Sequence, residues 1–565
     1  MSKMIQSIPA AKGIALGKVF WLHDVKLIIE RKDSSPVAEL ERLENARQKT
    51  RSSISEMKAG MSSHPEEAAI FDAHMMMLDD PDLLALVETQ LTAGAEFAWD
   101  FAIQEYAAKM EALEDDYFRA RANDIRDIGK QVLRNLLGVP DLDLSQLREL
   151  IILLAKDLTP SDTCRMDKSK ILGFATQEGS STSHTAILAK ALNLPAVVGV
   201  GPVLEEIPDN AFIILDGSTG KIIIEPNEAT LRFYSEKKEI EYKSKLNSLG
   251  SAHQPAITSD GKRVEVVANI GNKEDALQAI NNGAEGVGLL RTEFLYMDRK
   301  TPPSEPEQLE VLNSILDVMG SLPVVIRTLD IGGDKYPAYM DLGSEVNPFL
   351  GWRAIRVCLD RPEFFKTQLR AILSAAPGHD VRIMFPMIST LEELRAVKTL
   401  LAEARSELNS VAEVSVGIMV EIPSVVQMVD QFVKEVDFFS VGTNDLTQYT
   451  FAVDRTNPKV ASIADACHPA ILRQIRQVIE IAHANNIWVG VCGELAGDAE
   501  AIPVLLGMGL DEFSMSPGSI PVAKEIIRGW DTVNARSLAD IALNLESAAA
   551  VRELVKNRSG GTGLL

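Results

Sequence analysis

Val416–Asp445, VGIMVEIPSVVQMVDQFVKEVDFFSVGTND, holds two apolar runs of strand length, Val416–Val420 and Phe438–Gly442. Polar groups follow each run closely: Glu421 after the first, Asn444 and Asp445 after the second. A helix-length segment lies between them. The same beat recurs at Val264–Ile270, Gly286–Leu290, Val324–Thr328, Val381–Phe385, Trp488–Val491 and Glu512–Met515. Eight such runs in about 290 residues come near the usual size of a (β/α)8 barrel. A doubly wound open sheet is the fold-level alternative.

The barrel makes a definite demand on polar residues, because catalytic groups gather at the C-terminal ends of its strands. Those ends read Arg291 and Glu293, Arg327 and Asp330, Glu421, Asn444 and Asp445, Cys492, and Ser516. With Lys335, Arg353 and Arg455 in the loops beyond, the arginines form a candidate site for a small, highly anionic molecule. The guanidinium fork matches carboxylate and phosphate oxygens. Glu421 and Asp445 offer two hard oxygen ligands, and Mg2+ typically takes one or two carboxylates plus water and substrate phosphate. A carboxylate pair that merely balances the arginines is the plainer alternative. Cys492, in VCGEL, stands near positive charge and is a candidate general acid or base. A buried, inert thiol is its plainer alternative.

The N-terminal half is different. Short strands and turns surround GSSTSHTAILAK, Gly179–Lys190, in which His184 sits where a small polar loop passes into a helix. Ser181, Thr182 and Ser183 are helix-capping types. A histidine in a first helical turn is kept neutral by the dipole, and the free N–H groups there hold a phosphoryl group. The alternative is a histidine that only caps a helix. The expected organisation is an α/β domain over 1–33 and 141–227, interrupted by a helical insertion over 34–140. A linker follows over 228–262, with a flexible join from Ser248, then the barrel over 263–545 and a tail over 546–565.

Composition narrows the classes of function. The 565 residues exceed a single core, and the formal charge of −23 argues against nucleic acid. No apolar run spans a membrane, and the N-terminus lacks a secretory pattern, so a cytoplasmic protein is expected. Cysteines at 164, 358, 467 and 492 show no metal-ligand spacing. From Ala59 to Ala108 there is no Lys or Arg, while Glu66, Glu67, Asp72, Asp79, Asp80 and Asp82 crowd among Met75, Met76 and Met77. Such a surface suits a basic, partly apolar partner. The alternative is a solvated helical face.

Long motifs carry a resemblance over essentially the whole chain: the histidine run at 179–190, GAEGVGLLRTEFLYMDR at 283–299, RTLDIGGDK at 327–335, NPFLGWRAIR at 347–356, MFPMI at 384–388, EVDFFSVGTNDLTQYTFAVDR at 435–455 and CGELAGD at 492–498. They resemble the Enzyme I family of the phosphoenolpyruvate:sugar phosphotransferase system. The resemblance implies that His184 is phosphorylated and that Arg291, Arg327 and Arg455 bind phosphoenolpyruvate, helped by Lys335, Arg353, Asn444 and Asp445. It implies that Glu421 and Asp445 bind Mg2+ and that Cys492 protonates the pyruvate enolate. It further implies that the helical insertion docks the phosphocarrier HPr, which gives Glu66, Glu67, Asp80 and Asp82 a role, and that members are homodimers through the barrel. The histidine run departs from the family's pattern, with Ser180 and Ser181 where a glycine and an arginine are usual.

Three competitors are weighed against this. Pyruvate phosphate dikinases and phosphoenolpyruvate synthases need an ATP-binding module, and no phosphate-loop pattern precedes the histidine domain. The nitrogen-regulatory relative carries an additional N-terminal sensory domain, for which the chain leaves no room. A non-catalytic phosphorelay protein has no use for the set Arg291, Arg327, Glu421, Asp445 and Cys492.

Overall fold

A computed structural model describes residues 3–559 apart from 23–26, 61–70, 72–73, 112–115, 140–148, 160–161, 163–168, 180–184, 186–188, 190–193, 298, 334–336, 338, 341–344, 410–411, 456 and 458–459. The chain divides into two compact units, residues 1–241 and 242–565.

The first unit carries an eight-stranded mixed sheet. Its strands are β1 (Lys3–Gln6), β2 (Ile8–Ala11), β3 (Ile14–Leu22), β4 (Ile151–Ala155), β5 (Ile171–Thr176), β6 (Ala196–Val198), β7 (Phe212–Asp216) and β8 (Lys221–Ile224). β3, β4, β5 and β6 run parallel in that order, while β7, β8, β1 and β2 add antiparallel pairings at the flanks. Every residue of β4 is buried, as its uninterrupted IILLA sequence requires.

The excursion between β3 and β4 is helical, with helices Pro36–Gly60, Pro81–Glu88, Ala95–Glu111 and Asp116–Leu137 around Leu43, Leu83, Trp99, Ile103 and Ile125. Two of the acids in the Lys- and Arg-free stretch are consumed here. Asp79 pairs with Arg47 at 2.8 Å and with Arg51, and Glu96 pairs with Arg42.

The second unit closes into a barrel of β9 (Glu265–Ile270), β10 (Val287–Leu290), β11 (Val324–Arg327), β12 (Val381–Phe385), β13 (Ser415–Val420), β14 (Phe438–Val441), β15 (Trp488–Val491) and β16 (Glu512–Met515), all parallel. The pairing of β9 with both β10 and β16 removes the edges that an open sheet would have. Two apolar layers hold it. One lies between strands and helices; the other fills the interior with Leu289, Val325, Met384, Met419 and Phe438. At one end Phe438 stacks on Trp488 at 4.7 Å between centroids, and Arg382 covers Trp488.

Glu512 lies in this interior, 2% exposed, with Oε1 lacking a hydrogen-bond partner. Burial, with Glu265 nearby, pushes its carboxyl up to about 8. The folded state therefore keeps a proton that the unfolded chain releases above its ordinary carboxylate range. Stability drains as pH rises from about 4.5 to about 8 and stays low beyond. Glu512→Gln is expected to stabilise the second unit by a few kcal/mol at pH 8.5, at about 1.4 kcal/mol per pH unit. Near pH 4 it should change little. Urea unfolding followed at both pH values checks this.

One helix, Glu228–Gly250, carries the chain from the first unit into the second. Tyr234 buries against Ile214 and Ile223, and Lys237 meets Asp216 at 3.2 Å. The flexible join expected from Ser248 is corrected by the contacts beyond. Ser248 is buried and donates to Glu525; Arg528 donates to Ser251 at 2.8 Å; buried Lys524 donates to the carbonyls of Ala252 and Gly283 at 3.1 and 2.6 Å. Polar composition suggested a loose segment, but these partners lie some 270 residues away in sequence. The end of the chain is likewise more than a tail: Ala548–Ser559 is a helix with Val551 and Val555 buried in the barrel core.

Candidate active site

At the C-terminal ends of the strands, charge is paired across loops. Arg327 ends β11, and its side chain meets Glu293 at 3.1 Å and Asp330 at 3.0 Å. Asp330 also takes both oxygens to Arg353, at 3.0 and 3.2 Å. Arg353 continues the chain of contacts to Asp445 at 3.4 Å and to the Tyr449 hydroxyl at 3.2 Å. Burial alone would raise the Asp330 carboxyl, but Arg327 and Arg353 hold it below its ordinary value. The approach of Arg353 to the β11 loop depends on Gly332, which has φ +113° and whose added Cβ would stand 2.5 Å from the Arg353 Cβ.

Glu421 follows β13 and is fully buried. Its Oε1 accepts from the Met387 amide at 2.5 Å, while Oε2 has no hydrogen-bond partner. Met387 adopts φ +55°, a strained conformation for a side chain of its type, and the Glu421 contact holds it there. Burial, then the neighbouring Asp445 and Asp330 charges, push the Glu421 carboxyl up to about 8 despite Arg327 and Arg353.

Cys492 ends β15 and is buried. Its thiol points at the Val441 carbonyl, 3.7 Å away, and its own carbonyl accepts from Asn269 at 2.9 Å. Burial pushes the thiol up to about 11, with Ser440 and Arg327 working against it. At neutral pH the group is thus an acid with a proton to give. Asn444 is half-buried and accepts from the Glu494 amide at 3.2 Å, joining the β14 and β15 loops. Arg291, just past β10, and Arg455, in the loop after helix Thr443–Phe451, are exposed. The Arg455 charge still reaches Asp330.

Arg327, Arg353, Glu421, Asp445 and Cys492 are therefore gathered in one interior-facing mouth, with Arg291, Asn444 and Arg455 on the loops at its rim. Lys335 and His184 lie outside the described residues, as do Ser180, Ser181, Glu66 and Glu67. The residue after the histidine, Thr185, is buried and donates to Asp157 at 3.1 Å just past β4. Asp80 is occupied: it caps helix Pro81–Glu88 through the Asp82 and Leu83 amides and accepts from Tyr106 at 2.7 Å. Asp82 is exposed.

Residue spacing did not disclose the bridging part of Asp330, the amide contact of Glu421 to Met387, or Tyr449. The signal for Tyr449 was its place in DLTQYT, one helical turn past Asp445.

Family models match in three consecutive pieces. Residues 6–121 match the N-terminal part of PEP-utilising enzymes, 147–220 their mobile domain and 246–532 their PEP-binding domain. A phosphoenolpyruvate-protein phosphotransferase from Priestia megaterium is 44% identical across 99% of both chains. Its counterpart from Staphylococcus carnosus (strain TM300) is 42% identical, over 98% of this chain and 99% of its own. A solution structure of an Enzyme I protein (nEIt) is 38% identical over 42% of this chain and 99% of its own, with a TM-score of 0.37. With full-length identity at this level and the three family pieces in order, the chain belongs to the phosphoenolpyruvate-protein phosphotransferases, the Enzyme I family of the phosphotransferase system.

Proposed function

We propose that this enzyme takes the phosphoryl group of phosphoenolpyruvate onto His184 and passes it to a histidine of the phosphocarrier HPr, the first step of phosphotransferase-system sugar uptake. The observation that carries the reading is the barrel mouth itself. Buried Arg327 and Arg353 stand among Asp330, Asp445 and Glu421, beside a protonated thiol at Cys492.

Arg291, Arg327, Arg353 and Arg455, with Lys335 and Asn444, bind the carboxylate and phosphate of the substrate. Arg327 and Arg353 are already oriented by carboxylates, so little reorganisation of these two accompanies binding. The neutral imidazole of His184 attacks phosphorus in line: an N–P bond forms, the bond to the enol oxygen breaks, and the arginines take up charge on the equatorial oxygens. The enolate carbon then takes its proton from Cys492.

Glu421 and Asp445 fit a hard divalent cation. The Glu421 Oε2 is buried and unpartnered, and burial first, then the Asp445 and Asp330 charges, raise its carboxyl, a cost that a cation there would relieve. Mg2+ typically takes one or two carboxylates with water and substrate phosphate, so this pair would hold it. When bound, Mg2+ supplies positive charge to the phosphate and enolate oxygens.

Among the described residues no helix is long and apolar enough to cross a membrane. We place the enzyme in the cytoplasm, as a homodimer through the barrel.

Labelled phosphoenolpyruvate with Mg2+ is expected to label the wild-type chain and to leave His184→Ala unlabelled. Label arriving from ATP and none from phosphoenolpyruvate would overturn the reading. The helical insertion is the proposed HPr dock. Because Asp80 is a helix cap whose loss costs about 1 kcal/mol, the clean probe is Asp82. Asp82→Lys is expected to lower transfer to HPr about fivefold or more, through lost charge steering, with autophosphorylation intact. Measuring both rates on one preparation separates docking from a general defect.

A further inference from the structure

The geometry points to Arg552, on the C-terminal helix Ala548–Ser559, as a positioning residue that fixes two loops of the phosphoenolpyruvate site together. It rests on the proposed function of the barrel mouth.

The loop after helix Thr443–Phe451 runs to Pro469, includes a short 3-10 turn at Ala461–Ile463, and carries Arg455. Its own hydrogen bonds, such as Val460 to Asn457, Ala464 to Ala461 and His468 to Asp465, are turns between near neighbours, which shape the loop without tying it to the next one. The loop after β15 starts with Cys492 and continues through Glu494–Gly497 to Asp498 and Glu500. Arg552 reaches both. Its Nε and Nη2 meet Asp465 at 2.9 Å each, a bidentate pair, while Nη1 meets Asp498 at 2.7 Å and Glu500 at 3.1 Å. Lys556 adds a second contact to Glu500 at 3.1 Å. Asp465 in turn accepts from the Cys467 amide at 2.9 Å, and Asp498 from the Glu500 amide at 3.0 Å, so each carboxylate is locked into its own loop. A separate contact, from the Glu494 amide to Asn444, ties the β15 loop to the start of the helix that precedes the Arg455 loop.

The planar fork decides the outcome. A single guanidinium satisfies three carboxylates from two loops, which lysine's point charge does with poorer geometry. The family match to the PEP-binding domain ends at residue 532, so this clamp is supplied from beyond it. Its effect falls on Arg455 and Cys492 through loop position, without contact to substrate.

The test uses full-length enzyme, Mg2+ and HPr. Wild type must first turn over phosphoenolpyruvate; if it does not, the functional reading fails and not the clamp. Arg552→Ala is expected to raise KM for phosphoenolpyruvate at least fivefold, measured well below its unfolding temperature, with Arg552→Lys in between. Asp465→Asn should reproduce most of the KM effect. In an Arg455→Ala background, Arg552→Ala should add little to KM. A merely structural role would lower the active fraction, and so kcat, at unchanged KM. Unchanged KM in both Arg552→Ala and Asp465→Asn would overturn the proposal, as would full additivity with Arg455→Ala.

Discussion

Arg327→Ala is expected to lower kcat/KM for phosphoenolpyruvate by on the order of a thousandfold, the scale seen when one preorganised charge donor is removed from a developing anion. The size follows from how Arg327 is held. Its Nη atoms are anchored by Glu293 and Asp330, and it is buried where the Glu421 and Cys492 charges reach it. Removing it withdraws a proposed substrate ligand and leaves a mouth dominated by carboxylates, which would repel a trianionic substrate. Stability should fall too, by roughly 3–5 kcal/mol, because breaking a buried ion pair strands its partners. Arg327→Lys is not expected to restore activity, since one ammonium does not span Glu293 and Asp330 together. Single-turnover labelling from phosphoenolpyruvate, beside thermal unfolding of the same samples, distinguishes lost binding from lost folding. Labelling within about tenfold of wild type would remove Arg327 from the site.

Cys492→Ala is expected to separate two events that wild type performs almost together. Phosphoenolpyruvate contacts are left in place, so the protein should still become labelled. Pyruvate release should slow by about 10²–10⁴-fold, the usual contribution of a positioned acid. A thiol raised to about 11 by burial stays protonated through the physiological range, so wild-type release should show no alkaline loss until well above pH 8. After the proton leaves, Arg327 and Ser440 favour the thiolate that remains. Two readings check this. A burst of labelled protein should outrun pyruvate in the variant, and enzyme-catalysed exchange of the methyl hydrogens of added pyruvate with heavy water should disappear. Equal slowing of labelling and release would assign the thiol to binding instead.

Much of the barrel was legible because a parallel strand covered on both faces must be written as an unbroken apolar run. The expected runs Val381–Phe385, Trp488–Val491 and Glu512–Met515 coincide with β12, β15 and β16. Closure was not legible, since β9 meeting β16 joins residues about 250 apart. Among the candidate site residues, strand-end position singled out Arg327, Glu421, Asp445 and Cys492, which the structure gathers in one place, without any knowledge of partners. It did not find that Asp330 bridges two arginines, because that depends on the turn at Gly332 bringing Arg353 back over the β11 loop. The acid-rich stretch was misjudged in part for the same reason. Composition counts charge along the chain, whereas Asp79 and Glu96 are answered by arginines on helix Pro36–Gly60.

The helix Glu228–Gly250 is fastened at both ends, by Tyr234 and Lys237 before its middle and by Ser248 at its close. Each anchor belongs to a different unit. Loss of one unit's fold therefore frees only the part of the helix that unit holds, while the other part keeps its own contacts.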